Sequence, residues 1–295
     1  MKIQVLSDAL KNSRDKMLPP GALFGMMYLI QSGHELLIDK TGLNRQQIAL
    51  IVNEGIKNGD FSPADADGII KKSDHYLFET NGNVLENAED WNSLTRAILF
   101  PTRRGTLERN TKETKISVDV NLDGTGTSDI QTGLNFFDHM LDQIARHGLI
   151  DLRLTCRGDL EVDEHHTIED TAIALGQVLR QAISENKAGI QRYGFILPMD
   201  EARATVAIDL SDRPFLRWDV NFEREYIGDF PAEMAEHFFY TLAMNLKATV
   251  HVEADGKNEH HILEAVFKGF AKALRFAVSR NERIKGILPT TKGII

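Results

Sequence analysis

The feature that most restricts the fold of this chain is an internal repeat. One order of patterns occurs twice: an alternating strand, a helix that opens with an acid–histidine pair, a second alternating strand, a glycine, and a helix that opens with two adjacent histidines. The histidines concerned are His139, His165 and His166 in the first copy and His237, His260 and His261 in the second. Because order, element type and chemistry agree, the sequence predicts two copies of one structural unit.

The strands of both copies alternate apolar and polar residues, as half-buried strands do. They cover residues 114–124 and 151–157 in the first copy, and 203–213 and 248–254 in the second. We therefore predict an α+β fold of two half-domains, about 106–195 and 196–295, each a sheet covered by helices on one face.

The preceding region, residues 1–105, lacks such a cluster of polar groups. Its apolar spacing predicts helices at 20–32 and 45–57 with a strand at 35–39 between them, which indicates a small α/β region. Residues 81–109 are polar and are predicted to be irregular, with 101–105 as the linker.

Composition excludes several classes of protein. The net charge of −9 over 295 residues is unsuited to wrapping nucleic acid, and no apolar run is long enough to span a membrane. A single cysteine, Cys156, excludes an internal disulfide or a cysteine-rich zinc module. We expect a soluble, cytoplasmic protein.

The repeated histidines indicate metal binding. Together with Glu169 and Glu264 they form eight potential ligands at matching places in the two copies, which neither a packed core nor a surface requires. Adjacent helical residues point about 100° apart, so each doublet must serve two different ions. Either His165 or His166 can share an ion with Glu169, and ligands can come from both halves or from neighbouring subunits. Imidazole and carboxylate suit Zn, Fe, Ni or Mn.

Other charged residues leave two interpretations open. Asp138 and Glu236, which precede the single histidines, either orient ligands or simply favour a helix N-terminus. Arg192, Arg213 and Lys292 lie in turns or in a polar tail, where they suit either an anion or solvent.

Several long motifs closely resemble imidazoleglycerol-phosphate dehydratase of histidine biosynthesis. The resemblance runs from about residue 107 to 295 and is carried by the segments RNTKET (109–114), FFDHMLDQ (136–143), DEHHTIED (163–170), PMDE (198–201) and KNEHH (257–261). It implies the duplicated fold, two manganese ions in each active site, and trimers that assemble with metal into a 24-subunit shell.

The resemblance also implies residue roles. The metal ligands would be His139, His165, His166, Glu169, His237, His260, His261 and Glu264. Glu113 would be the catalytic acid/base, and the substrate would contact Glu113, His139, Gln143, His147, Arg192, Arg213, Thr291 and Lys292, with the cations on its phosphate. Two departures stand out: Asp212 replaces a usual glycine, and Thr290-Thr291 stands where serines are common.

The implied reaction is the dehydration of imidazole glycerol phosphate to imidazole acetol phosphate. It removes a carbon-bound proton that no neighbouring carbonyl acidifies, so the substrate's own imidazole ring must be held as imidazolate by the metals while Glu113 moves the proton. Two alternatives remain: a di-metal phosphoester hydrolase, and a non-catalytic metal-bridged shell protein, which would have no use for Glu113 or Lys292.

Residues 1–100 resemble a shortened histidinol-phosphate phosphatase of the haloacid-dehalogenase type. Asp8 stands at the nucleophile position after the first strand, but the general acid expected two residues later is replaced by Leu10. We therefore expect this region to be inactive as a phosphatase and to serve packing, assembly or regulation.

Overall fold

A computed structural model of the chain describes residues 1–12, 17–183, 187, 189–284 and 287–292. The chain divides into two compact units, Met1–Pro101 and Thr102–Ile295. Within the described residues, no helix combines the length and apolar character needed to cross a membrane.

The first unit is a small α/β unit around one sheet. Its strands are β1 (Lys2–Val5), β2 (Glu35–Ile38), β3 (Gly68–Lys72), β4 (Tyr76–Thr80) and β5 (Asn83–Ala88), and its helices are α1 (Ala22–Gln31), α2 (Arg45–Asn53) and α3 (Trp91–Leu99). The sheet order is β2-β1-β3-β4-β5, with β1, β2 and β3 parallel and the remaining pairs antiparallel. The predicted helices and strand are present with ends shifted by a few residues. Asn44 is the N-cap of α2, and its side chain accepts from the Gln47 N–H in a capping box.

The prediction of irregular structure over 81–109 is wrong. This segment contains β5, α3 and the start of β6, which begins at Arg104 inside the expected linker. Strand β5 lies at the edge of the sheet and is mostly exposed. Its sequence therefore lacks the alternation of apolar and polar residues that indicates a half-buried strand. Helix α3 did carry a signal, because Trp91, Leu94 and Ile98 are buried at helical spacing behind the N-cap Asp90.

The second unit contains the predicted duplication. The first copy comprises β6 (Arg104–Asn110), β7 (Thr114–Asn121), β8 (Ser128–Gln131), α4 (Asn135–Gly148), β9 (Asp151–Gly158) and α5 (His165–Ile183). The second comprises β10 (Tyr193–Met199), β11 (Ala202–Asp209), β12 (Phe215–Asp219), the short β13 (Tyr226–Ile227) and β14 (Phe230–Pro231), α6 (Met234–Leu246), β15 (Thr249–Asp255) and α7 (Glu259–Ala277).

The two large sheets of this unit share one topology. Their orders are β6-β7-β9-β8 and β10-β11-β15-β12, each with three antiparallel strands and a final strand that pairs in parallel. Helix α5 packs on β6 and β7, helix α7 packs on β10 and β11, and the helices meet as the pairs α5–α6 and α4–α7. The α5–α6 contact is close, because a Cβ on Gly176 would lie 2.9 Å from the Leu242 carbonyl oxygen.

One hydrophobic core joins both copies, with Phe137, Phe238 and Phe267 fully buried in it. The predicted α+β fold of duplicated halves, each with helices on one face of its sheet, is therefore confirmed. The N-terminal ends of the four helices carry the histidines, so the fold of the core determines how the histidines meet.

Candidate metal centres and active site

The first group of potential ligands, cluster I, comprises His139, His260 and Glu264. Their ligand atoms all lie within 4.8 Å of one another. The Glu264 Oε2 atom is 2.9 Å from Nε2 of His260, one helical turn away on α7, and 3.5 Å from Nε2 of His139 on α4. Cluster I thus combines one histidine of the first copy with a histidine and a glutamate of the second.

Cluster II comprises His165, Glu169 and His237. It is equivalent to cluster I with the two copies exchanged, since the histidine and glutamate on one helix now come from the first copy. Its Glu169 carboxylate lies 3.4 Å from Nε2 of His165 and 3.6 Å from Nε2 of His237. The Nε2 atom of His237 is buried and has no hydrogen-bond partner among the described residues. A buried nitrogen beside a second imidazole and a carboxylate suits a divalent metal, because the ion would satisfy its lone pair.

The second histidine of each doublet points away from its cluster. The His165 and His166 rings are inclined at 76°, and the His260 and His261 rings at 90°. His166 hydrogen-bonds through Nδ1 to Asp159 at 3.1 Å, and His261 through Nδ1 to Glu201 at 2.9 Å. These hydrogen bonds raise the pKa of both imidazoles, and the His261 contact holds the pKa of Glu201 at about 2. The structure therefore groups His165, and not His166, with Glu169.

Glu113 lies at the tip of the β6–β7 hairpin, beside His166. Its Oε2 atom is 4.0 Å from Nε2 of His166, and its side chain is 53% exposed. The hairpin itself is stabilised from within, since the Thr111 hydroxyl accepts from the N–H groups of Glu113 and Thr114. The Glu113 carboxylate is consequently accessible to a ligand at the imidazole edge that faces away from Asp159.

Gln143 and His147 follow His139 along α4. The Gln143 amide nitrogen is 3.3 Å from Nδ1 of His139 and 3.0 Å from its carbonyl oxygen. Burial lowers the pKa of His147, and Lys268 and Lys272 on α7 lower it further. The described contacts therefore place Gln143 directly against His139, a histidine of cluster I.

Lys268 was missed in the sequence, although it lies one helical turn after Glu264. Its ammonium group is 2.6 Å from Oε1 of Glu264, which leaves Oε2 for the histidines. Burial alone would raise the pKa of Glu264, but the hydrogen bond from Lys268 and its charge lower it overall. The i,i+4 spacing could have indicated this pair.

Two of the predicted phosphate-binding cations, Arg192 and Arg213, meet at Asp209. Arg192 donates from Nε to Asp209 Oδ2 at 2.8 Å, and the Arg213 guanidinium lies 3.8 Å from the same oxygen. Arg192 also donates to the Pro289 carbonyl at 3.4 Å, which places the segment with Thr291 and Lys292 nearby. The side chains of Arg192 and Arg213 are 58% and 64% exposed, so both are open to an anion.

Asp212 has a local structural explanation. Its φ of 56° lies in the left-handed region that favours glycine, the residue that the family resemblance leads us to expect at this position. Its carboxylate lies 2.7 Å from the Lys187 ammonium and 3.7 Å from the Arg180 guanidinium. Its negative charge is therefore balanced by cations other than Arg213.

The acids that orient histidines are different from those considered in the sequence. Asp138 accepts from the Thr132 N–H and hydroxyl at the start of α4, as a helix-terminal acid does, and Glu236 is exposed. Asp159 and Glu201 make the histidine contacts instead. Neither stands next to a histidine in the chain, so only the tertiary fold could identify them.

The family model of imidazoleglycerol-phosphate dehydratase matches residues 132–274, which include both clusters. The imidazoleglycerol-phosphate dehydratase of Desulfitobacterium hafniense is 51% identical over 195 residues, covering 65% of this chain and 98% of that protein. This chain belongs to the imidazoleglycerol-phosphate dehydratase family. The resemblance inferred from the motifs is thereby confirmed.

Solved dehydratase structures agree with this assignment. The enzyme from Pyrococcus furiosus, in complex with (S)-C348, is 36% identical with a TM-score of 0.55 and covers 64% of this chain and 100% of its own. The Staphylococcus aureus dehydratase is 32% identical with a TM-score of 0.55, covering 60% of this chain and 99% of its own. Both cover a share of this chain slightly smaller than that of the second unit, Thr102–Ile295.

Longer relatives are named histidine biosynthesis bifunctional protein HisB. The one from Spirosoma linguale is 47% identical over 250 residues, covering 84% of this chain and 65% of its own length. A Bacteroides fragilis relative is 50% identical over 206 residues, with 54% of its length covered. Since 84% of the chain exceeds the second unit, the Spirosoma match extends into the first unit. The chain therefore spans less than two thirds of the length of these bifunctional relatives.

Proposed function

We propose that the second unit dehydrates D-erythro-imidazole glycerol phosphate to imidazole acetol phosphate in histidine biosynthesis. The observation that carries this proposal is the pair of His₂Glu clusters, each assembled from both copies, within a chain of the dehydratase family. Substrate binding is assigned to His139, Gln143, His147, Arg192, Arg213, Thr291 and Lys292, together with Glu113.

Two manganese ions per active site are part of this proposal. The imidazole and carboxylate donors of clusters I and II fit manganese among other divalent metals. When bound, such ions would lower the pKa of the substrate's imidazole and favour its anionic form. The chain's own residues then orient the substrate: the arginines hold its phosphate, and Gln143 fixes the ring of His139.

Glu113 is assigned the proton transfer at carbon. Its exposed carboxylate stands 4.0 Å from Nε2 of a proposed ligand, His166, and so lies beside the position that the reacting imidazole would occupy. A carboxylate placed within reach of a carbon-bound proton supplies general acid–base catalysis worth about 10²–10⁴-fold in rate.

We also propose metal-bridged assembly into trimers and a 24-subunit shell. Each cluster holds three protein ligands from one chain, while His166 and His261 point outward from both. An outward histidine can complete the metal site of a neighbouring copy, so one chain can bridge to others at two places. The cytoplasmic location predicted from the sequence stays a prediction.

The deciding experiment incubates purified protein with Mn²⁺ and imidazole glycerol phosphate and follows the acetol product. We expect turnover in the wild type, and a kcat lower by about 10²–10⁴-fold in Glu113→Gln with its metal retained. Release of inorganic phosphate without acetol product would support the hydrolase alternative. Metal binding and assembly without either product would support the shell-protein alternative.

A further inference from the structure

The duplication makes Glu113 and Glu201 equivalent residues. Each follows a hairpin turn and directly precedes the first buried residue of a strand, Thr114 on β7 and Ala202 on β11, both 1% exposed. Each also lies beside the second histidine of the doublet in its own copy. A strict repeat would give both glutamates the same task.

The two carboxylates nevertheless meet opposite edges of their imidazoles. Glu113 lies on the Nε2 side of His166, at 4.0 Å. Glu201 accepts from Nδ1 of His261 at 2.9 Å, and its other oxygen accepts from the N–H groups of Lys257 and Asn258 at 3.2 and 2.7 Å. Both oxygens of Glu201 are thus engaged by protein donors.

The first copy fills the Nδ1 position from another place. Asp159, in the loop between β9 and α5, lies 3.1 Å from Nδ1 of His166. The corresponding loop of the second copy, residues 256–258, is shorter and has the sequence Gly-Lys-Asn, without an acid. In the second copy, the hairpin residue Glu201 therefore takes the place that Asp159 has in the first copy.

A carboxylate at Nδ1 determines which nitrogen can bind a metal. An ionised carboxylate only accepts hydrogen bonds, so Nδ1 must carry the proton and Nε2 keeps its lone pair. Such a partner also fixes the orientation of the ring, and its removal typically weakens metal binding about 10–100-fold.

We propose that Asp159 and Glu201 are positioning residues that do the same work at different places in the two copies, presenting Nε2 of His166 and of His261 to metal ions. In this arrangement Asp159 releases Glu113 for catalysis, whereas Glu201 is committed to His261. The inference deepens the proposed function, because it rests on the metal-ligand role assigned there to both histidines.

The test substitutes the acids by their amides in the full-length protein. In Glu201→Gln the amide oxygen still accepts from the N–H groups of Lys257 and Asn258, but the NH₂ group now donates to Nδ1 of His261. The proton then moves to Nε2 and blocks it. We expect the Mn²⁺ dissociation constant, measured by equilibrium dialysis, to rise by about 10–100-fold, and the same for Asp159→Asn. Saturating Mn²⁺ should restore kcat in both.

Two comparisons separate positioning from other effects. Asp255→Asn removes an exposed carboxylate that pairs with Arg203 at the end of β15 that leads into the loop 256–258, and should leave Mn²⁺ affinity unchanged. Glu113→Gln should show the reverse pattern, with normal Mn²⁺ affinity and a loss of kcat that excess Mn²⁺ does not restore. Should Glu201→Gln fail to fold, Asp159→Asn tests the inference independently.

Unchanged Mn²⁺ affinity in folded Glu201→Gln and Asp159→Asn would overturn the inference. A loss of kcat that persists at saturating Mn²⁺ in Glu201→Gln would instead make Glu201 a second chemical group. A wild type that binds Mn²⁺ but yields no acetol product would overturn the dehydratase assignment alone, since the affinity series still decides the positioning role. A wild type without Mn²⁺ binding would overturn both the metal assignment and this inference.

Discussion

Nε2 of His237 lies 3.6 Å from Oε1 of Glu169, although the two residues belong to different copies of the repeated unit. The same carboxylate also faces His165, its neighbour one turn earlier on α5. Cluster II is therefore a junction between the copies, and cluster I is its counterpart around Glu264.

Because the clusters share no ligand, we expect them to lose metal separately. Glu169→Gln should reduce the manganese content from the proposed two ions to one per chain, since cluster I keeps all three of its residues. Elemental analysis after gel filtration measures this, with His75→Gln, an exposed histidine of the first unit, as the control. Loss of both ions would show that the clusters depend on each other.

Removal of the metal should dissociate the proposed oligomer into smaller particles. A strong chelator is expected to convert a large particle into a smaller one and to abolish dehydratase activity together, because in the proposed assembly the outward histidines bridge copies through metal. His261→Gln should yield the smaller particle even with Mn²⁺ present, while His75→Gln stays large. Sedimentation that shows an unchanged particle after complete metal removal would exclude bridging.

Arg213→Ala should weaken substrate binding through the phosphate. Loss of one charge-assisted contact, worth about 1.5–3 kcal/mol, should raise KM by about 10–100-fold with a smaller effect on kcat. Arg203→Ala, which removes an exposed arginine paired with Asp255, is the matched control. Equal KM values for Arg213→Ala and the control would remove Arg213 from the phosphate site.

Asp123 should contribute to acid stability. Burial alone would raise the pKa of its carboxyl group, but Arg103 and Arg280 outweigh this and hold the pKa at about 2. The resulting stabilisation, about 1–2 kcal/mol after allowance for a partly exposed side chain, is present above the unfolded-state pKa of about 3.8. It is lost as the pH falls through about 2.

Asp123→Asn should accordingly lower the free energy of unfolding at pH 7, and its difference from the wild type should shrink as the pH falls below 4. Urea unfolding of the second unit, followed by its tryptophan Trp218, measures this in a protein truncated to 102–295, which lacks Trp91. Asp129→Asn, at an exposed position on β8, controls for the loss of charge. A pH-independent difference would assign the effect to packing.

The first unit should lack histidinol-phosphate phosphatase activity. Leu10, at the expected general-acid position, is fully buried, and the preceding Ala9 carbonyl accepts from the Trp91 indole at 2.8 Å. Asp39, which follows β2, accepts from the N–H groups of Ser7 and Thr41, as a loop-stabilising acid does. The expected general-acid position, Leu10, is thus part of a packed core rather than of a cleft.

Deletion of 1–101 should leave dehydratase turnover measurable, whereas the full chain with Mg²⁺ should release no phosphate from histidinol phosphate. Phosphate release that is lost in Asp8→Asn would contradict this prediction. A deletion variant that keeps turnover but changes particle size would assign the first unit to assembly.

The sequence alone predicted the repeat and the divergence of each histidine doublet, because both follow from local periodicity. It could not decide whether His165 or His166 joins Glu169, since both spacings fit one helical turn. The pairing of His139 with the second doublet depends on the contact between α4 and α7, which no local pattern encodes. For the same reason the sequence did not indicate Asp159 and Glu201, because only the tertiary fold brings them close to His166 and His261.

The close α5–α6 and α4–α7 contacts bear on the origin of the molecule. A lone ancestral half would have held one ligand of one cluster and two of the other, so it could complete a metal site only as a homodimer. Joining two such halves in one chain would make the partnership permanent and would allow equivalent positions to differ. Glu113 and Glu201 differ in this way: the Glu113 carboxylate is exposed, whereas both oxygens of Glu201 accept hydrogen bonds from its own copy.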